Sequence, residues 1–522
     1  MSDPLSLIDT HPLDEVGTDF RAHVGRISRQ SSVFFAGTIF TVAAGYLFKI
    51  FVARMLGAEA LGVYALGMTA TGLLGVLAGG GLPQSATRYV AAYSATGQVE
   101  KLRGFLWRGA GILILLQLAA GVLLMTAKNL VAYRIYHAPE IATYMGFFVA
   151  LMLLGALTSF FSEVLAGYRD VSRRTVIVNF VGTPALMIAV AIFLIQGYGL
   201  RGYLLGQAVS AVAVTALLIF TTWKLNPVVA HAWPPRHAPL GTDVRRYAGT
   251  LLGLQILDFL LAQTDRIALG MFTGAANVGI YALAIGVTGF VPIILKSVNQ
   301  IFSPTIAELH AKQQSEVLRS LYQSLTKWTL GLTIPLAFSV MVFARPLMEV
   351  FGRDFAVGWP VLIIATVGEL INCGVGSVGM LLLMSGQESA ALRFQIVLAP
   401  IVTILNFAVI PFWGLIGAAT VAALTNAAMN FLYLRAVRNT LGIVPSARGY
   451  MQLLPASFLT LGVILGLRFL TQSMHQQLWI LLATLIASYI VFVGVFAAQA
   501  KSEEDTFILQ TALAKIRGTL GI

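Results

Sequence analysis

One stretch of this chain occurs twice: KIFVARMLGAEALGVYALGMTATG at residues 49–72 returns without a gap as RIALGMFTGAANVGIYALAIGVTG at residues 266–289. Gly57 falls on Gly274, Ala58 on Ala275, Gly62 on Gly279, Tyr64 on Tyr281 and Gly72 on Gly289, with Lys49 and Arg266 at the head of each copy. Copies set roughly two hundred residues apart are far too widely spaced for a solenoid unit, so the chain is a duplicated half-protein. Whatever fold the first copy takes, the second must take as well.

The medium is set by the apolar runs. Windows of about 20 residues, the length that spans a bilayer as a helix, fall at 31–53, 61–83, 104–126, 143–166, 175–196 and 199–223. A second set falls at 248–270, 278–301, 325–345, 357–384, 390–412 and 414–436, and a last pair at 449–470 and 477–499. With 57% apolar and only 11% charged residues, the chain has too little polar surface to cover itself in water. The expectation is an all-α integral membrane protein with fourteen transmembrane helices, because lipid tolerates only structures whose backbone groups are satisfied internally.

Charge supplies the topology. The formal net charge of +12 is scattered over short connections instead of forming one basic patch, which argues against a nucleic-acid partner. Arg26 and Arg29, Arg88 and Arg103, Arg173 and Arg174, Arg245 and Arg246, Lys312 and Arg319, and Arg438 and Arg448 lie on alternate connections. The positive-inside rule places all of these, and both termini, in the cytoplasm. The opening residues contain no apolar core of signal-peptide length, so no cleaved signal is expected. Cys373 is alone, which leaves no disulfide framework and no thiolate metal site.

The duplication extends further. LAGYRDVSRR at 165–174 is answered by MSGQESAALR at 384–393, Pro184 by Pro400, and YGLRG at 198–202 by WGLIG at 413–417. The expected organisation is a cytoplasmic segment at 1–30, a six-helix lobe at 31–223, a proline-containing linker at 224–247, a second six-helix lobe at 248–436, two further helices within 437–499 and a cytoplasmic tail at 500–522. Six spans per copy make both copies enter the bilayer from the same side, a parallel repeat about an axis along the membrane normal, enclosing a central cavity.

An ionised side chain within hydrocarbon costs about 2.5 kcal/mol or more, so each one inside a span is a functional candidate. Lys49 lies in the first span, Asp258, Asp265 and Arg266 in the seventh, Lys296 in the eighth and Glu369 in the tenth. Gln255, Asp258, Ala262 and Asp265 follow helical steps of three and four, as do Thr38, Thr41, Gly45 and Lys49. Repeat symmetry would set Lys49 opposite Arg266, a cationic pair suited to a diphosphate. The competing reading is structural: both long side chains can reach the headgroups, and Arg266 can neutralise Asp265. Asp258 and Glu369 are either protonated, paired, or sites for a coupling Na+ or H+. No cofactor is called for, and no metal-ligand spacing is present.

The stretches RMLGAEALGVYALGMTATGLLGVLAGGGLPQSATRYVA at 54–91 and TDRIALGMFTGAANVGIYALAIGVTGFVPIILKSVNQIFSPTIAELHA at 264–311 resemble the polysaccharide-biosynthesis (Wzx-type) branch of the superfamily that also holds multidrug and toxin extruders and the lipid II flippase. The resemblance covers roughly 31–440. It implies two six-helix lobes working by alternating access in a bacterial inner membrane. The implied substrate is a polyprenyl-diphosphate-linked oligosaccharide for extracellular polysaccharide, capsule or O-antigen synthesis, and the implied partners are membrane lipids, a polymerase and other assembly proteins. In such flippases cavity cations meet the diphosphate, and Lys49 and Arg266 occupy the matching motif positions. Two rivals stand beside this reading: a multidrug antiporter on the same scaffold, for which an acidic cavity is expected, and a membrane polysaccharide polymerase or ligase, which needs a larger extracellular loop than any here. An enzyme is not expected.

Overall fold

The computed structural model describes residues 13–225, 240–471 and 477–499, with side chains described from residue 44 onward except at 301, 477, 478 and 499. Among the described residues the chain is helical with no strand. Among the described residues ten helices are long and apolar enough to cross a membrane, eleven when the pair bent by 53° around residues 289–292 counts as one, and the chain is a multi-pass membrane protein. Large apolar side chains stay uncovered along these helices, including Leu115, Ile195, Phe412 and Phe469, the last two 85% and 74% exposed. In hydrocarbon such side chains cost nothing to leave outside.

Length and apolarity alone do not separate the fourteen expected spans, for two reasons. The helix α1 (Leu13–Gly79) and a 54-residue helix at Glu388–Leu441 are continuous elements, each interrupted only by one residue, Gly57 (φ 75°, ψ 177°) and Gly414 (φ 52°, ψ −128°). Both backbone conformations lie where an L side chain is strained and glycine is not. The helix Thr242–Thr273, moreover, carries Asp258, Asp265 and Arg266 and is not among those apolar enough to qualify.

The chain divides into two compact units. The first takes in Met1–Met55, Thr71–Lys128 and Thr143–Gln255, and the second Leu56–Ala70, Asn129–Ala142 and Ile256–Ile522.

In the first unit, α2 (Leu82–Ala95), α3 (Val99–Asn129), α4 (Glu140–Gly167) and the start of α8 (Thr242–Thr273) share a core of Leu82, Ala86, Val90, Leu102, Phe105, Phe160, Val164 and Ala248. Phe105 and Phe160 stack with centroids 6.0 Å apart. The packing is close because glycine permits it: a Cβ on Gly81 would stand 2.0 Å from the Ala248 carbonyl oxygen. The Arg88 guanidinium then lies over Tyr247, 4.5 Å from its centroid, and Gln255 donates to Gln84 at 2.9 Å. Arg174, just beyond α4 on the short α5 (Val171–Thr175), donates to Ser162 and Glu163, both at 2.8 Å, while Thr87 donates to the same carboxylate at 2.6 Å. The helices α6 (Thr183–Ile195) and α7 (Gly199–Leu225) pack as a hairpin in which Gly206 meets the backbone of Val190.

In the second unit, α9 (Ala275–Thr288), α10 (Ile293–Ala311), α11 (Ser315–Val342), α12 (Ala344–Glu349), α13 (Trp359–Val375), α14 (Val378–Met384) and α15 (Glu388–Leu441) follow α8. One core joins Phe302, Ile306, Tyr322, Val378, Leu381 and Val437. Between α13 and α14 the chain breaks at Gly376 (φ 76°), and the carbonyls freed there are taken by hydroxyls: Tyr322 donates to Val375 at 2.6 Å and Tyr450 to Gly374 at 2.5 Å. The last two helices, α16 (Ala447–Leu470) and α17 (Gln477–Gln499), join α11 through a second core of Ile334, Leu453, Ala456, Phe492 and Phe496.

Candidate functional site

The charged candidates of the seventh span sit on α8, and their surroundings differ sharply along it. Asp258 is exposed, and its carboxylate accepts from Gln395 of α15 across a long 3.4 Å. Ala262 is exposed on the same side. Asp265, one heptad beyond Asp258, is half-buried. Its two oxygens accept from the Tyr281 hydroxyl at 2.6 Å and from the Arg266 main-chain N–H at 2.7 Å. The Arg266 guanidinium turns to Gln263, donating from one terminal nitrogen to Oε1 at 2.9 Å, so the carboxylate is satisfied by a hydroxyl and a peptide N–H. The Nε of Arg266 is buried and meets no protein acceptor.

Residues outside the charged set complete this cluster. Gln263 Oε1 also accepts from the Thr69 hydroxyl at 3.5 Å, and Thr264 is bonded by the Asn406 amide of α15 at 3.1 Å. Tyr281 is fully buried, although it is the repeat equivalent of Tyr64 and reads in sequence as part of the scaffold. The first copy has Phe48 where the second has Asp265, so the acid–phenol pair belongs to one copy only. Gln263 and Thr69 carry no charge and give no sequence signal of their own; their separation by 194 positions along the chain hides the contact.

The remaining candidates have surroundings of their own. Lys49 belongs to the first unit, is exposed, and sits with its ammonium 4.6 Å from the centre of the Tyr46 ring. The side chains of Thr38 and Thr41 lie outside the described residues. Glu369 on α13 is half-buried and accepts from Asn372 at 3.0 Å. Lys296 on α10 is exposed. Among the described residues no group of three or more His, Cys, Asp or Glu is arranged to hold a metal ion.

Beside Arg266 the helix made by residues 58–69 crosses α8 and α9 on a single face. Ala58, Gly62, Leu66 and Thr69 follow steps of four, four and three, which places them on one stripe. Opposite them stand Gly279, Ala275, Gly270 and Gln263. A Cβ on Gly279 would lie 2.1 Å from the Ala58 carbonyl oxygen, one on Gly62 1.7 Å from that of Ala275, and one on Gly270 2.2 Å from Leu66 and 2.8 Å from Tyr136. The crossing is self-complementary: Gly62 and Gly279 are repeat equivalents, and so are the two alanines whose carbonyls they meet. Gly57 and Gly274, also equivalent, open the two helices with the same glycine-only backbone, φ 75° and 88° with ψ near 180° at 177° and 172°. The duplication read from the sequence is therefore a duplication of backbone geometry.

Residues 27–310, more than half of the chain, match the family model described as polysaccharide biosynthesis protein. A curated relative, Probable low-salt glycan biosynthesis flippase Agl15 of Haloferax volcanii, is 26% identical over 170 residues, which is 32% of this chain. The match spans 36% of that relative, little more than a third of its length. Among solved structures, Lipid II flippase MurJ in its inward closed conformation has a TM-score of 0.69 at 14% identity and is covered over 98% of its length by 89% of this chain. An inward-facing multidrug resistance MATE family transporter of the MOP superfamily has a TM-score of 0.63 at 14% identity, with 78% of this chain covering 94% of it. At these identities the likeness is one of fold, and it is the fold of membrane transporters.

Proposed function

The chain belongs to the polysaccharide biosynthesis protein family, and from that membership we propose that it is a flippase carrying a polyprenyl-diphosphate-linked oligosaccharide from the cytoplasmic to the periplasmic leaflet of a bacterial inner membrane by alternating access. It acts as a transporter, not an enzyme, and both termini are cytoplasmic. The observation that carries the reading is Arg266, a half-buried cation on α8, the helix that the sequence reads as the seventh span, with one guanidinium edge on Gln263 and a buried Nε still able to donate. A guanidinium with free donors in a low dielectric is matched by the paired oxygens of a diphosphate. Lys49, exposed at the equivalent repeat position, meets the same anionic head during the cycle.

An apolar groove of about 580 Å³, lined by Leu330, Leu370, Val375, Leu434, Pro445 and Tyr450, lies where α16 joins α11 and α13. It suits the polyprenyl tail, whose isoprene units need only apolar surface. Asp258, Asp265 and Glu369 are the acids available for coupling to Na+ or H+.

The test is charge reversal at Lys49 and Arg266 together, Lys49→Glu with Arg266→Glu. Export of glycan stops while the protein remains in the membrane; unimpaired export removes both residues from the substrate's path. Reconstituted transport that is indifferent to sodium and proton gradients alike would release the three acids from coupling. The second reading, a multidrug antiporter, rests on the MATE fold match, and raised drug resistance on expression with no change in glycan export would select it.

A further inference from the structure

The crossing of residues 58–69 with α8 and α9 ends at the candidate anion site, and this juxtaposition has a use. Its far part is made of main chain against main chain, Gly62 on Ala275 and Gly279 on Ala58, with Leu66 and Tyr136 filling the space over Gly270. Its near part is Gln263, whose single Oε1 accepts from Thr69 across the crossing and from Arg266 on its own helix. One atom thus joins the helix crossing to the cation.

We propose that Gln263 is a positioning residue that ties occupancy of Arg266 to the closing of this crossing, which the positive-inside reading places at the end of α8 away from the cytoplasm. The proposal rests on the diphosphate reading of Arg266 given above. With the site empty, Arg266 holds the Gln263 amide turned toward Thr69. A diphosphate offers the guanidinium charge-assisted, bidentate bonds that are stronger than its bond to a neutral amide oxygen. Arg266 then leaves Gln263, the amide is free to rotate, and the Thr69 contact, already long at 3.5 Å, goes with it. What remains of the crossing is close apolar and Cα–H contact, individually weak. Binding of the anionic head thereby loosens the side through which it is to be released. A ligand moves such an equilibrium only through contacts that differ between the two states, and the Gln263 bond is such a contact.

Glu59 and Ala276 make the test practical, because they are repeat equivalents, both are exposed, and each adjoins a crossing residue, Ala58 or Ala275. In the full-length protein carrying Glu59→Cys and Ala276→Cys, reconstituted in lipid nanodiscs, a short bis-maleimide joins the two thiols at a rate that reports the closed crossing. The native Cys373 is buried. Farnesyl diphosphate, used as the probe, slows the joining by about fivefold or more, the lower range of allosteric coupling, and farnesol does not. Gln263→Leu, or Gln263→Asn as a milder variant, lacks the bond to Thr69 whose loss opens the crossing, so it joins slowly even without probe, and radiolabelled probe, still bound, slows it no further. Slowing in the Gln263 variants equal to that in the parent overturns the coupling. Probe that binds through Arg266, lost in Arg266→Gln, yet leaves the joining rate of the parent unchanged also overturns the coupling and spares the diphosphate site. Failure of the probe to bind the parent at all overturns both.

Discussion

Gly62 lies so close against Ala275 that a Cβ built on it would stand 1.7 Å from the Ala275 carbonyl oxygen, and the repeat returns the same relationship as Gly279 against Ala58. Gly62→Ala or Gly279→Ala must therefore spread the crossing or shift a helix, and overpacking of this kind costs about 1–3 kcal/mol. Gly146→Ala, at a helical position with nothing within 4 Å of the added carbon, is the control. Thermal unfolding of the purified variants should show a clear drop in Tm for the first two and little change for the third. Equal Tm values for all three would show that the crossing is looser than the geometry states.

The bond between Tyr281 and Asp265 gives a second expectation. Tyr281→Phe keeps the ring and removes the hydroxyl, leaving a half-buried carboxylate oxygen without its 2.6 Å donor. An unmet buried acceptor costs about 1–3 kcal/mol. Removing both polar members by combining Tyr281→Phe with Asp265→Leu should recover part of that loss, since replacing both by apolar groups is close to neutral. Additive losses in the double variant, read from Tm, would deny the pair any shared role.

Topology is open to a direct check. Val357, 65% exposed in the connection between α12 and α13, is expected outside the cytoplasm, whereas Lys312, between α10 and α11, is expected within it. A membrane-impermeant maleimide applied to intact spheroplasts should label Val357→Cys and spare Lys312→Cys until the membrane is broken. The reverse pattern would invert the assigned orientation and with it the direction of transport.

Much of the architecture was legible in the sequence because the bilayer enforces it: apolar runs of spanning length become helices, and the ungapped alignment of 49–72 with 266–289 paired Gly57 with Gly274, where the structure has matching backbone breaks. The site was legible only in part. Helical spacing puts Asp258 and Asp265 on one stripe, since seven residues are nearly two full turns. The structure nevertheless exposes the first and half-buries the second. The reason lies outside α8: Leu66 and Tyr136 close over Gly270, and Tyr281 reaches back from α9, so the same helix face is covered at one end and open further along. Spacing within one helix carries no information about what another helix lays upon it. Gln263 went unnoticed for a related reason, because a neutral amide becomes significant only through its partners.

The meeting of Gly62 and Gly279 with the two alanine carbonyls is built entirely from peptide groups, with no proton to gain or lose and no net charge to feel a voltage. The contact itself therefore offers an ion gradient nothing to titrate. Energy drawn from such a gradient reaches this closure through the charged side chains beside it, Arg266 among them.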